Sequence, residues 1–213
     1  METRRGLVLT GGEAPTGPVT IADRASWLVV AADSGADTAE RLGIVPDAIV
    51  GDLDSIRDDD VHRRFPGVSM ERYDAAKDWT DTEIALKFLW KREVEEVTII
   101  GGGGGRIDHL IGILGLFHRQ RYPRRWLTHR EELVVLDGAA EFDAPAHGPV
   151  SFFPLTRELC RMRSEGLRWE LDQLAWTIGD GGISNECRKS RCRVEVLTGR
   201  LLMVRELPTQ LVL

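Results

Sequence analysis

Cysteine is scarce in this chain of 213 residues: Cys160, Cys187 and Cys192 make up the whole complement. An odd count without a CxxC pair argues against a disulfide framework and against a thiolate zinc site, and marks them as small buried or half-buried thiols. Long apolar runs are missing as well. The stretch 110–117 is interrupted by glycines and followed by His118-Arg119, so nothing approaches the length needed to cross a bilayer. The opening Met1-Glu2-Thr3-Arg4-Arg5 has too short an apolar segment behind it for a signal peptide, and a cytoplasmic protein without membrane contact is expected. Positive charge is not in excess: the net charge is −6, with 13 Lys and Arg against 21 Asp and Glu in residues 1–118, and 15 against 13 in residues 119–213. An acidic first half repels nucleic acid phosphates, so no nucleic acid partner is expected, while surplus carboxylates suit a hard cation. Two common phosphate-binding signatures are also absent. There is no GxxxxGK[ST], and the five-glycine run 101–105 fails GxGxxG at its last position, where Arg106 stands.

What is present is ordinary globular composition, 42% hydrophobic and 29% charged, arranged in two grammars. In the first half, short apolar runs end at polar or glycine punctuation. Leu7-Val8-Leu9-Thr10 runs into Gly11-Gly12, and 27–32 into Asp33-Ser34-Gly35. Residues 48–50 meet Gly51-Asp52, and 96–100 meet the glycine run. Near-continuous apolar strands separated by helical stretches predict an α/β domain, a mostly parallel sheet with flanking helices, whose ligands bind beyond the carboxyl ends of the strands. A helix is expected from about Thr80 to Lys91, with Thr80 and Glu83 at capping-box spacing and Ile84, Leu86, Phe88 and Leu89 on the buried side. A second helix is expected after Arg106, carrying Ile107, Leu110, Ile111, Leu114 and Phe117. After Tyr122-Pro123 come short strand candidates at 132–137, 150–153, 167–171, 193–197 and 201–205, with glycine and proline turns between them. They predict a smaller all-β sandwich and a division into domains 1–130 and 131–213.

Four segments carry chemistry. Gly51-Asp52-Leu53-Asp54-Ser55 follows a strand, and residues i and i+2 there face one side, so Asp52 and Asp54 suit Mg²⁺ bound through carboxylates and substrate phosphates. Asp33, at the end of another strand, supports that reading against the alternative of a solvated acidic turn. In Lys77-Asp78-Trp79-Thr80-Asp81, three polar groups crowd a helix start; Asp81 is the candidate for metal or base, and Asp78 for cap or support. Gly104, Gly105, Arg106, Asp108 and His109 form a glycine-rich turn into a helix, where backbone amides and a guanidinium approach phosphates. An Arg106–Asp108 surface ion pair explains the same residues equally well, and His109 fits packing or helix capping as readily as catalysis. Ser184 and Asn185 offer neutral hydrogen-bonding groups for a heteroaromatic ring, and Trp169 or Trp176 a stacking face, although a Ser-Asn pair is also ordinary turn chemistry.

Taken in order, Asp33-Ser34-Gly35-Ala36, the 51–55 segment, Asp78-Trp79-Thr80-Asp81, Gly104-Gly105-Arg106-Ile107-Asp108-His109, Gly166-Leu167-Arg168-Trp169 and Ile183-Ser184-Asn185-Glu186 resemble the thiamine pyrophosphokinase family over nearly the whole chain. The resemblance implies transfer of the diphosphoryl group of ATP to the primary alcohol of thiamine, with Asp52, Asp54 and Asp81 holding Mg²⁺. It further implies Asp33, Ser34, Ser55, Asp78, Thr80, Gly104, Gly105, Arg106, Asp108 and His109 around the nucleotide, and Trp169, Ser184 and Asn185 around thiamine. A homodimer with the site at the subunit interface is implied too. Gly179-Asp180-Gly181-Gly182 and Arg188-Lys189-Ser190-Arg191 depart from the pattern beside the ring-binding pair. The rivals are therefore a pyrophosphokinase for another hydroxyalkyl heterocycle such as a pterin, an inactive nucleotide-binding module of the same fold, and a metal-dependent phosphohydrolase.

Overall fold

A computed structural model describes residues 4–52, 58–74, 78–143 and 148–213. The chain forms two compact units. One comprises residues 1–116, 121–130 and 208–213, and the other residues 117–120 and 131–207.

The first unit holds β1 (Arg5–Leu9), β2 (Val19–Thr20), β3 (Trp27–Ala32), β4 (Ala48–Gly51), β5 (Ser69–Arg72), β6 (Glu96–Ile100) and β7 (Arg125–Leu127), with helices α1 (Gly35–Leu42), α2 (Asp58–Arg64), α3 (Asp81–Trp90) and α4 (Ile107–Leu116). Its strands run parallel in the order β7-β6-β1-β3-β4-β5. All six residues of β3 are buried, as expected for a strand covered on both faces. Each large aliphatic side chain withdrawn from water in this way contributes roughly 1.5–3 kcal/mol. Helix α3 buries Ile84, Leu86, Phe88 and Leu89, and it begins with the expected capping box: Glu83 N donates to Thr80 Oγ1, and Thr80 N donates to Glu83 Oε2 at 2.8 Å. Thr80 therefore caps this helix, and Asp78 is an exposed residue ahead of it.

Helix α4 turns a different face inward from the one its sequence suggests. Ile113 and Leu116 are buried, while Ile107 and Ile111 are 69% and 62% exposed. The final strand, β16 (Leu211–Val212), pairs in parallel with β2, so the last residues return to the first unit rather than staying with the second domain.

The second unit contains β8 (Glu131–Leu136), β9 (Ala139–Asp143), β10 (Pro149–Pro154), β11 (Cys160–Glu165), β12 (Ala175–Trp176), β13 (Gly182–Glu186), β14 (Arg191–Thr198) and β15 (Leu201–Glu206). The order β13-β10-β15-β8 makes one antiparallel sheet and β12-β11-β14-β9 the other. Phe142, Phe152, Met162, Val194 and Met203 belong to the core they share, a sandwich. The three cysteines are free and buried in this core. Burial pushes the Cys187 thiol up to about 12, with Cys192 beside it adding to the effect.

The strand expected at 167–171 does not form. Leu167 makes an isolated bridge to Cys187, and the strand lies earlier, at β11, where Cys160 and Met162 point inward while Arg161 and Arg163 face solvent. That alternation is the period-two signal of a half-buried strand, carried by arginines and a cysteine rather than by aliphatics.

Candidate functional site

In the first unit, β1 leads to β3, β4 and β5 on one side, and the chain then crosses to β6 and β7 on the other. The point where strand order reverses leaves a crevice at the carboxyl edge of such a sheet. A cavity of about 710 Å³ lies there. Its walls come from the ends of β1 (Thr10 to Glu13), β3 (Ala32 to Ser34) and β6 (Gly102 to Gly105), and from the starts of α3 (Thr80 to Thr82) and α4 (Arg106, Asp108, His109). Of the sequence candidates, Asp33, Ser34, Thr80, Asp81, Gly104, Gly105, Arg106, Asp108 and His109 therefore meet around one space. Asp54 and Ser55 lie outside the described residues, and neither Asp52 nor Asp78 lines the cavity.

The acidic side is organised around Gly51. A Cβ placed on Gly51 would come within 3.1 Å of both Asp33 Cβ and Asp81 Oδ1. The glycine adopts a φ of 152°, in a region L side chains rarely occupy, so backbone and space both require it. Asp33 is itself left-handed, at φ 43°, and its N–H donates to Val50 O at 2.8 Å. Aspartate tolerates that conformation better than most residues, and here its Cβ packs against Gly51 of β4 as the chain enters α1. Half-buried Asp52 follows Gly51 directly. Among the described residues no three His, Cys, Asp or Glu side chains already stand at metal-ligand spacing. Two carboxylate-bearing residues packed on a glycine, with a third next in sequence, still form the kind of oxygen-donor set that fits Mg²⁺, which keeps several waters and completes its shell with substrate phosphates.

The glycine run is used more selectively than its composition suggests. The amides of Gly101, Gly102 and Gly103 donate to Leu127 O, Gly11 O and Glu13 O, at 3.0, 2.6 and 3.0 Å. Gly104 and Gly105, at φ 63° and 65°, line the cavity beside Arg106. Arg106 Nε donates to Asp108 Oδ1 at 3.1 Å, and this hydrogen bond is the main reason the Asp108 carboxyl is lowered to about 2. The surface ion pair foreseen as an alternative is thus present in the chain by itself.

Sequence reasoning missed Thr10, Glu13 and Thr82. Thr10 Oγ1 and Thr82 Oγ1 share a buried hydrogen bond of 2.9 Å, which ties the end of β1 to the turn that carries Asp81. Thr82 gave no signal, being one polar residue inside a helical pattern. Gly11-Gly12 at a strand end was a signal that could have led to Glu13.

In the second unit, Asn185 is 4% exposed. Its Nδ2 donates to Trp169 O at 2.7 Å, and its Oδ1 accepts from Trp169 N and Glu186 N at 3.2 and 2.8 Å. Arg168 bonds both carboxylate oxygens of Glu186 and lies 4.6 Å from the centroid of the Trp169 ring, which is 53% exposed. Ser184 is exposed with φ 57°, and its N–H donates to Ser151 Oγ. Trp176 packs partly against the core, near Gly182. The two departures have local explanations. Asp180 accepts from Thr177 N at 2.7 Å to close its turn, and Lys189 and Arg191 pair with Glu165 and Glu141.

Residues 22–141 match the family model "Thiamin pyrophosphokinase, catalytic domain", and residues 143–202 match "Thiamin pyrophosphokinase, vitamin B1 binding domain". The chain is 27% identical to the thiamine pyrophosphokinase of Bacillus subtilis over 186 residues, 84% of this chain and 86% of that protein. It is similar to the crystal structure of the Bacillus subtilis enzyme, with a TM-score of 0.76 at 22% identity, covering 96% of this chain and 99% of the other. The thiamin pyrophosphokinase of Candida albicans gives a TM-score of 0.70 at 17% identity, covering 97% and 90%. At such identities the structural likeness shows the fold, and the two family matches, consecutive along the chain, show the rest: the chain belongs to the thiamin pyrophosphokinase family.

Proposed function

We propose that the chain transfers the diphosphoryl group of ATP to the primary alcohol of thiamine, yielding thiamine diphosphate and AMP. The observation that carries the residue assignments is the packing of Asp33 and Asp81, which both line the cavity, on Gly51, the residue before Asp52 in the chain. Asp52, Asp54 and Asp81 hold Mg²⁺ in this reading, and Asp33 supports them. Bound magnesium neutralises phosphate charge, the chief requirement of phosphoryl transfer, which demands positioning and electrostatics more than covalent participation. One of these aspartates accepts the proton of the attacking hydroxyl. Arg106, whose guanidinium plane Asp108 orients, faces the phosphates with Gly105, while Gly104 lines the nucleotide site beside the Glu13 carboxylate. Ser34, Thr80 and His109 complete the walls.

For the acceptor, the exposed ring of Trp169 supplies the stacking face and the exposed Ser184 hydroxyl a hydrogen bond. Asn185 is engaged with the backbone of Trp169 on both sides of its amide, so it serves the acceptor by fixing that ring. The exposed apolar face of α4, with Ile107, Ile111 and Leu114, supports a homodimer in which a second subunit helps to enclose the acceptor. Free buried thiols agree with a cytoplasmic setting.

Incubation with ATP, Mg²⁺ and thiamine tests the reading. AMP should appear only when thiamine is present, and a hydroxymethyl pterin should not replace it. Release of ADP or free phosphate instead, or AMP formed equally well with the pterin, would overturn it.

A further inference from the structure

The cavity has one wall that the phosphate and metal chemistry leaves unexplained. Glu13 lines it, and its carboxylate lies on the glycine turn: a Cβ on Gly104 would come within 2.5–2.8 Å of the Glu13 carboxylate carbon and oxygens. The backbone of Glu13 is anchored to the same turn, with Glu13 N donating to Gly103 O at 2.8 Å and Gly103 N returning a bond to Glu13 O. His129, two residues beyond β7, holds the carboxylate from behind through Nε2, 2.9 Å from Glu13 Oε2. Nε2 faces a carboxylate, which only accepts, so Nε2 is the donor of this pair; the other ring nitrogen, Nδ1, is buried without a hydrogen-bond partner among the described residues. A carboxylate fixed in this way accepts hydrogen bonds and repels phosphate. Its position along the sheet matches that preference. Glu13, beyond the end of β1, is bridged to Gly103, beyond the end of β6, so the pair stands two to three strands from Gly51 at β4, roughly 10–14 Å at the usual strand spacing. A nucleoside triphosphate laid along the strand ends with its terminal phosphates beside Asp33 and Asp81 brings its sugar to that place.

We propose that Glu13, held by His129, is the sugar subsite of the cavity, where its carboxylate accepts the hydroxyls of the nucleotide's ribose. The inference rests on the reading of this cavity as the ATP site, and adds a residue that selects ribonucleotides. The test is calorimetric titration with a non-hydrolysable ATP analogue and its 2′-deoxy counterpart, with Mg²⁺ and without thiamine, alongside the separate AMP assay. A hydroxyl bonded to a charged acceptor should favour the ribonucleotide by about tenfold or more in the unmodified protein. Glu13→Ala should bind both analogues alike, at the level of the deoxy form, and His129→Phe should lose part of the preference because the carboxylate is no longer held. A melting temperature close to that of the parent protein certifies that the Glu13→Ala variant is folded; Glu13→Gln, which keeps one oxygen acceptor, should show a reduced preference in either case. Equal weakening of both analogues, or no preference in the unmodified protein, overturns the subsite. If that happens while AMP still forms with thiamine, only the sugar subsite falls. If no nucleotide binds at all, the cavity reading falls with it.

Discussion

The two units use polar residues in opposite ways. At the carboxyl edge of the parallel sheet, Asp33, Asp81, Glu13 and Arg106 sit on strand ends and helix starts, and they line a space large enough for a ligand. In the sandwich, polar residues are turned onto the protein: Asn185 to the backbone of Trp169, Arg168 to Glu186, and Asp180 to Thr177. A parallel sheet ends all its strands at one edge, so its topology gathers functional side chains without further help. An antiparallel sandwich has no such edge, and a binding loop outside its strands must be built by hydrogen bonds. The first unit presents its chemistry directly. The second presents an aromatic ring that other residues hold in place.

Replacing residues on either side of this contrast should give different kinds of defect. The largest effect is expected for Asp81→Asn, which keeps the shape and hydrogen-bonding reach of the side chain but removes its charge. Turnover should fall roughly 100-fold or more, in line with the loss of one preorganised electrostatic contact to a charged transition state, and the urea midpoint should barely move. A near-normal rate, or a collapse of stability, would place Asp81 among the structural residues and erase the difference between the units.

Asn185→Ala should behave in the converse way. It leaves Trp169 N, Trp169 O and Glu186 N without their partner, and an unsatisfied buried hydrogen-bonding group costs about 1–3 kcal/mol. Urea titration should register that loss, and the thiamine KM should rise as the Trp169 loop loosens, while the ATP KM stays unchanged. An equal rise in both KM values would count against a sandwich contribution confined to the acceptor.

The same contrast explains what the sequence revealed. Strand ends followed by Asp33-Ser34 and Gly51-Asp52 were legible because period and punctuation are local, and the capping box of α3 needed only four residues. Asn185 was legible, with Ser184, as a neutral hydrogen-bonding candidate for a ring, but its direction was not, because the bonds to Trp169 span 16 positions in the chain. Glu13 and Thr82 were hidden for a related reason. Their partners, His129 and Thr10, are distant in sequence and meet only once the sheet has formed. The arginine-bearing strand β11 was passed over because its inward residues, Cys160 and Met162, do not look like a strand core without their neighbours.

The smallest effect belongs to Thr80, which stands on the boundary between fold and function. Its side chain closes the α3 capping box, and it also lines the cavity next to Asp81. Thr80→Ala removes the acceptor for Glu83 N and the hydroxyl that donates to Glu83 Oε2 at 3.0 Å. Loss of such a cap typically lowers stability by about 1 kcal/mol. The helix should persist, because its buried face of Ile84, Leu86, Phe88 and Leu89 carries far more free energy than its first turn. A urea titration should therefore show a small drop in midpoint with an unchanged slope, and Thr80→Ser should restore it. If the alanine variant instead keeps full stability and loses turnover, and serine restores that turnover, the hydroxyl acts on the ligand, and the helix start is held by the buried face alone.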